Sequence, residues 1–307
     1  MTTYRPTAWL GLFTLVVMFG SAFLLTKIAV NEMSPLSVVT GRIVVAASTL
    51  WCIVLYQREA VTELVVYWKI FLLLALTGNC LPFFLIAWGQ QHVDSGLAGI
   101  LMAMMPLVTI VLAHFFVVNE RITRYKAVGF GFGFVGILIL MLPNVSTSQV
   151  SDWAVLIAML SILCGAISYG ANSVIAHRLP KISLTLISFG VLSFSAIIMT
   201  LIWLFFYGFG GFGGFGGFDG LLESSNAVIY SVILLGVFPT GLATIVYFSV
   251  IRRAGAAFLS QINYLIPLWA VMLGVWFGDE LLSWNSFVAL VVILCGIAIA
   301  QRGSKLA

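Results

Sequence analysis

DSGLAGILMAMMPLVTIVLAHFFVVNER, Asp94 to Arg121, decides how the chain is read: small residues, a long apolar run, a proline near the middle and a carboxylate just past the end. The pattern returns in RAGAAFLSQINYLIPLWAVMLGVWFGDEL, Arg253 to Leu281, where Pro267 and Glu280 stand in the places of Pro106 and Glu120. Pro106 to Glu120 is 14 residues and Pro267 to Glu280 is 13. The echo runs on past the carboxylates, because Glu120 to Gly136 and Glu280 to Gly296 are both 16 residues, in FVGILIL and LCGIAIA. A repeat offset by about half the chain is the mark of a duplicated membrane unit.

Composition supports that unit. Of 307 residues, 62% are hydrophobic and 8% charged, with a mean hydropathy of +1.16. A soluble domain carries roughly a quarter charged residues and could not solvate a surface built from this mixture. One span takes about 20 apolar residues, which leaves room for about ten. The net charge of +4 is spread along the chain, so it does not point to nucleic acid. Cys52, Cys80, Cys164 and Cys295 sit singly in apolar runs, without the spacing of a metal site or a disulfide framework, and read as core-packing thiols. No metal or cofactor is implied. The first apolar run is too long for a signal-peptide core and reads as a retained helix.

Ten apolar segments follow, numbered here as spans 1 to 10: about Ala8–Val30, Pro35–Tyr56, Lys69–Gly89, Ser95–Val118, Tyr125–Leu142, Trp153–Ala176, Ser183–Tyr207, Asn226–Val250, Gly255–Phe277 and Trp284–Ala300. Only helices and closed barrels satisfy every backbone group in hydrocarbon, and runs this long lack the alternation of a barrel strand. The basic residues give the orientation. Twelve of the 14, Arg5, Arg58, Lys69, Arg121, Arg124, Lys126, Arg178, Lys181, Arg252, Arg253, Arg302 and Lys305, fall on the side bearing Met1, which the positive-inside rule makes cytoplasmic for both termini. Five spans per repeat is an odd number, so the second repeat enters the membrane inverted. The fold class expected is an all-α polytopic membrane protein of ten transmembrane helices in two inverted five-helix repeats, 1–149 and 150–307. Spans 3 and 8 share a central proline, Pro82 and Pro239.

Catalytic motifs are missing, and all ten carboxylates lie in loops or at helix ends. What remains inside the bilayer is polar and aromatic: Phe19, Ser21 and Phe23 in span 1, Asn79 and Phe83 in span 3, Met105 in span 4, and Ser168, Tyr169 and Asn172 in span 6. Thr240 in span 8 and Gln261, Asn263 and Tyr264 in span 9 complete the set. Amides and hydroxyls at this depth either bond between helices or face a wet cavity. Their similar depth, beside the candidate hinges Pro82, Pro106, Pro239 and Pro267, suits a pocket for a small neutral or zwitterionic solute with an apolar or aromatic side chain. Arg42, two turns into span 2, is a candidate carboxylate contact or pairs with helix-end carbonyls; Lys27 reads as snorkelling to the interface. Trp9, Trp68, Trp88, Trp153 and Trp284 read as interfacial belts, and Gly129, Gly131, Gly133 and Gly136 as close-packing positions. Glu120 and Glu280 read as helix-end contacts, and the YGFGGFGGFGGFDG segment, Tyr207–Gly220, as a flexible linker.

The ten spans, FGSAF followed by Lys27, Pro35 followed by Arg42, and the two Pro…Glu segments resemble the EamA branch of the drug/metabolite transporter superfamily over essentially the whole chain. The resemblance implies a cavity formed by spans 1, 3, 4, 6, 8 and 9, with spans 5 and 10 peripheral. It also implies an exporter like the bacterial inner-membrane carriers of aromatic and neutral amino acids. Phe19 and Ala22 stand where the family usually carries Trp and Asn. The expectation is a monomeric alternating-access carrier in the lipid bilayer, moving small neutral metabolites. The alternatives are drugs, organic cations or other metabolites on the same scaffold, and a membrane sensor or scaffold without transport.

Overall fold

The computed structural model describes residues 6–59, 62–117, 122–146, 150–176, 183–208, 224–254 and 256–305, all in helices and their connections. Among the described residues, nine helices are long and apolar enough to cross a membrane: Pro6–Val30, Pro35–Gln57, Trp68–Gly89, Ser95–Phe116, Arg124–Met141, Trp153–Ala176, Leu184–Gly208, Asn226–Tyr247 and Trp284–Arg302. These are spans 1 to 8 and span 10. Span 9 is the shorter helix Ile262–Phe277, preceded by the turn-length helix Ala256–Leu259. Together they make the all-α bundle of two inverted five-helix repeats.

Helix starts follow local chemistry. Ser34 accepts from Ser37 N–H ahead of Pro35 at the first turn of span 2, and Ser183 accepts from Leu186 N–H at the start of span 7. Two expected continuous helices are broken. Span 4 divides into Ser95–Met102 and Met105–Phe116, with Pro106 in the first turn of the second piece, where its missing N–H leaves no bond unmade. Span 9 breaks at Ser260–Gln261, well before Pro267, which stays inside its helix. Spans 3 and 8 widen into π-helical turns at their prolines, Leu76–Cys80 before Pro82 and Gly236–Leu242 around Pro239.

Packing follows the repeat. Spans 5 and 10 lie against each other, and spans 2 and 7 pair through Ala46, Leu50, Val54, Leu186, Phe189 and Leu192. At Gly129 and Gly296 the spans 5 and 10 meet backbone to backbone; a Cβ on Gly296 would lie 2.6 Å from Gly129 O. Gly133 and Gly136 are closely packed as well, but nothing lies within 4 Å of a Cβ at Gly131, so that glycine has no packing role. The remaining spans fill the middle in repeat-related pairs, span 3 on span 6 and span 8 on span 1, span 4 on span 6 and span 9 on span 1.

The symmetry fails at one place. Call the end where span 1 begins proximal and the other distal. The distal half of span 4 packs on spans 1 and 9, whereas among the described residues the proximal half of span 9 makes no comparable contact with span 6, nor the second piece of span 4 with span 9. The bundle is therefore shut at its distal end. Carboxylates tie the loops across the repeats: Glu32 accepts from Ser225 N–H (2.8 Å) and Oγ–H (2.9 Å) at the distal end, and Glu59 accepts from Ser183 Oγ–H (2.6 Å) at the proximal end. The inverted repeat maps one loop pair onto the other, with acid and serine exchanged.

Core-packing thiols hold for Cys80 alone, since Cys52, Cys164 and Cys295 are exposed on the outside of their helices. Lipid tails are as apolar as a protein interior, so hydropathy does not tell an inner face from an outer one. Glu120 and residues 209–220 of the Phe-Gly-Gly segment lie outside the described residues.

Candidate solute-binding site

Four of the residues singled out in the sequence meet inside the bundle. The Arg42 guanidinium carbon sits 3.8 Å from the centroid of the Phe83 ring, and Phe83 meets Tyr169 edge-on with centroids 6.3 Å apart. Arg42 Nε–H donates to Thr240 Oγ at 2.7 Å. Spans 2, 3, 6 and 8, two from each repeat, thus converge on one cation. Among the described residues no carboxylate pairs with it, and Thr240 is its hydrogen-bond acceptor. The two remaining guanidinium nitrogens are available for an anion that enters from outside the fold.

The prolines explain why Thr240 can hold this cation. Pro239 has no N–H, and the carbonyl of Leu235 instead receives the Thr240 hydroxyl at 2.7 Å. With its proton committed to Leu235, the Thr240 oxygen presents lone pairs to Arg42. The partner site in the first repeat uses the same device. Leu81 N–H bonds back to Leu76 O, so Pro82 would have to serve Thr77 O and cannot; Ser168 Oγ–H donates there at 2.8 Å.

Several other candidates are spoken for between helices. Asn79 donates to Ser195 Oγ at 3.0 Å, turned toward span 7, and Asn172 accepts from Thr77 Oγ–H at 3.1 Å while packing on Gly78. Ser168, as described, closes a helix gap. Phe19 packs with the span 1, 8 and 9 cluster around Leu15 and Phe258, and Phe23 and Tyr264 against the cluster of spans 4, 5, 6 and 10. Met105 and Gln261 are half-buried at the breaks of spans 4 and 9. Lys27 does not snorkel: its ammonium donates to Gln90 O (2.9 Å) and Val93 O (3.2 Å), the carbonyl end of span 3, where the helix dipole favours a cation. Sequence reasoning passed over Trp269, whose Nε–H donates to Ser21 Oγ at 3.1 Å and whose ring covers Gly20. A tryptophan so deep in a span, two residues after Pro267, was the available signal.

A separate cavity of about 310 Å³ opens at the distal end, lined by Asp94, Gly96, Val271, Glu280, Ser283 and Asn285 among others. Two carboxylates and no basic residue line it, so it lacks the cation and aromatic walls gathered at Arg42. Asp94 titrates above the usual carboxylate range there: burial raises it, Glu280 raises it further, and Lys27 opposes both.

Known proteins place this architecture. A crystal structure with 17% sequence identity superposes with a TM-score of 0.66 over 98% of this chain and 99% of that one, which establishes a shared fold. The uncharacterized transporter YoaV of Bacillus subtilis is 23% identical over 289 residues, 94% of each chain. The uncharacterized inner membrane transporter YedA of Escherichia coli is 26% identical over 96% of this chain and 91% of its own, and Protein PagO of Salmonella typhimurium is 26% identical over 93% and 90%. The family profile matches twice, at residues 7–142 and 156–301, once for each copy of the Pro…Glu unit, and the chain belongs to the EamA-like transporter family.

Proposed function

We propose that this integral membrane transporter exports small carboxylate-bearing metabolites, foremost amino acids with apolar or aromatic side chains, by alternating access. The observation that carries the reading is Arg42. It is a cation two turns inside a membrane span, stacked on Phe83, with one nitrogen fixed by Thr240 and no carboxylate partner among the described residues. A charge kept at that depth without a fixed counter-ion marks a solute path. A carboxylate docks on the free edge of the guanidinium, and Phe83 and Tyr169 supply an aromatic wall for the side chain. The same cation disfavours organic cations as cargo. A single guanidinium also falls short of the several converging cations that phosphate recognition uses.

In this reading the basic loops face the cytoplasm, both termini lie there, and the membrane is the bacterial inner membrane. The closed distal end then faces outward, and the site is reached from inside. The test is counterflow in proteoliposomes with a panel of labelled amino acids: neutral aromatic and branched members exchange, and lysine and choline do not. Absence of counterflow for every neutral amino acid removes the substrate assignment. With all ten carboxylates in loops or at helix ends, the carrier is read as a facilitator driven by the solute gradient; flux with and without a pH gradient tests this, and a strong gradient dependence overturns it.

A further inference from the structure

We propose that Glu280 is a positioning residue of the transport cycle: its carboxylate latches the distal ends of spans 4 and 9 together and holds the path shut at that end. Its two oxygens take the two N–H groups that begin span 4, Ser95 N–H to Oε1 at 2.7 Å and Gly96 N–H to Oε2 at 2.8 Å. Those donors have no partner within their own helix, and the helix dipole adds to the attraction for a carboxylate. Glu280 follows span 9 in the second repeat, so one side chain joins the repeats at the seam that alternating access must part.

The chain is shaped to deliver this carboxylate. Gly278 N–H and Glu280 N–H both return to Gly274 O, at 2.9 and 3.0 Å, and Asp279 between them takes a left-handed backbone with φ 51°. A non-glycine residue there is strained, and the strain turns Glu280 back over its own helix toward span 4. Gly274 leaves the space: a Cβ at that position would run into the Glu280 carboxylate. The same seam is drawn tight by Gly99, where a Cβ would stand 2.6 Å from Ala270 Cβ, and by Gly96, 3.2 Å from Val271 Cα. The Lys27 ammonium donates to the carbonyls of Gln90 and Val93, whereas the latch carboxylate is held by the backbone N–H groups of Ser95 and Gly96. Counter-charge comes from the helix end itself, and that contact is lost when the two spans separate. The two proximal halves, which meet at no such seam among the described residues, show what the parted arrangement looks like.

The inference rests on the protein being an alternating-access transporter and not on its cargo, so it is tested without substrate. Spin labels are placed at His92 and Leu281, both exposed and on either side of the seam, in a chain whose four cysteines are replaced, and distances are measured by pulsed electron resonance in nanodiscs. The parent gives mainly one short distance. Glu280→Gln loses one of the two acceptors and the charge, and Gly274→Ala displaces the carboxylate while leaving it intact. Each is expected to raise the ratio of long to short distances at least tenfold, the order expected for losing one charge-assisted hydrogen bond. Glu280→Asp, too short to reach both N–H groups, is expected to fall between. Distance distributions unchanged in Glu280→Gln and Gly274→Ala, in protein that elutes as the parent does, overturn the latch and leave Glu280 a static helix cap. A failure of the amino-acid assignment in counterflow leaves this readout untouched.

Discussion

Arg42 and Thr240 belong to opposite repeats, and the guanidinium Nε–H of one donates to the hydroxyl oxygen of the other across 2.7 Å. This bond ties a cation two turns inside span 2 to a proline-widened turn, so the geometry of Pro239 reaches the solute site through a single hydroxyl. Arg42→Gln is expected to lower kcat/KM for a carboxylate-bearing solute about 10- to 100-fold, the equivalent of losing about 1.5–3 kcal/mol in a hydrogen bond to a charged group. Arg42→Lys keeps the charge without the fork and is expected to lose less. Counterflow rates at several solute concentrations measure both, and equal rates for the parent and Arg42→Gln remove Arg42 from the site.

Thr240→Val keeps the volume of the side chain, removes the acceptor for Arg42 and leaves Leu235 O without the hydroxyl. The expected outcome is a rise in KM of about tenfold, in line with about 1.5 kcal/mol for a hydrogen bond to a charged group, with kcat less affected. Initial-rate counterflow separates the two constants.

Ser168→Ala and Asn79→Ala act on bonds between helices, to Thr77 O and Ser195 Oγ. Each is expected to cost about 0.6 kcal/mol of stability, as interhelical hydrogen bonds in membranes do on average, and to leave KM as it was. Thermal unfolding in detergent alongside counterflow checks the pair. A changed KM without a lowered melting temperature would return either residue to the solute path.

Gly129→Leu and Gly131→Leu form an internal control. A side chain at Gly129 runs into the backbone of span 10, and overpacking of this kind costs about 1–3 kcal/mol; at Gly131 no neighbour lies within 4 Å. The melting temperature is expected to drop for the first substitution and to hold for the second.

Asp94 provides a pH test. Burial and Glu280, opposed by Lys27, leave its folded pKa above the ordinary aspartate value of 3.8, so the charged form is the one the fold disfavours. Its contribution to stability is complete below 3.8 and is lost as pH rises through the raised folded value. Asp94→Asn, a neutral side chain that suits the same helix start, is expected to melt higher than the parent at pH 7, with the gap closing as pH falls toward 4. A gap that widens on acidification contradicts the assignment.

The Pro…Glu repeat shows how far a linear pattern reaches. It placed Glu280 at a helix end, but it could not show that the carboxylate binds the start of span 4 in the other repeat. Pro106 and Pro267 are equivalent in spacing, yet the helix breaks three residues before one and not at the other, because each break answers to its neighbours as well as to the missing N–H. Asn79 and Thr240 also looked alike on paper, each polar and beside a proline. One is turned to Ser195 and the other to Arg42, and the choice depends on helix rotation, which a uniformly apolar span does not encode.

From the sequence alone came the spans and the inverted repeat, because hydrocarbon demands long apolar helices and a duplicated unit of five spans inverts its second copy. Those constraints act along the chain and are legible along it. The tertiary structure decided which residues face each other: Arg42 over Phe83 and on Thr240, Lys27 on the end of span 3, three of four cysteines exposed, and a distal end shut while the proximal halves stay apart among the described residues. Lipid and protein interior are equally apolar, so the membrane leaves no hydrophobic stripe to mark a helix's inner face, and only packing and hydrogen bonding between spans select it.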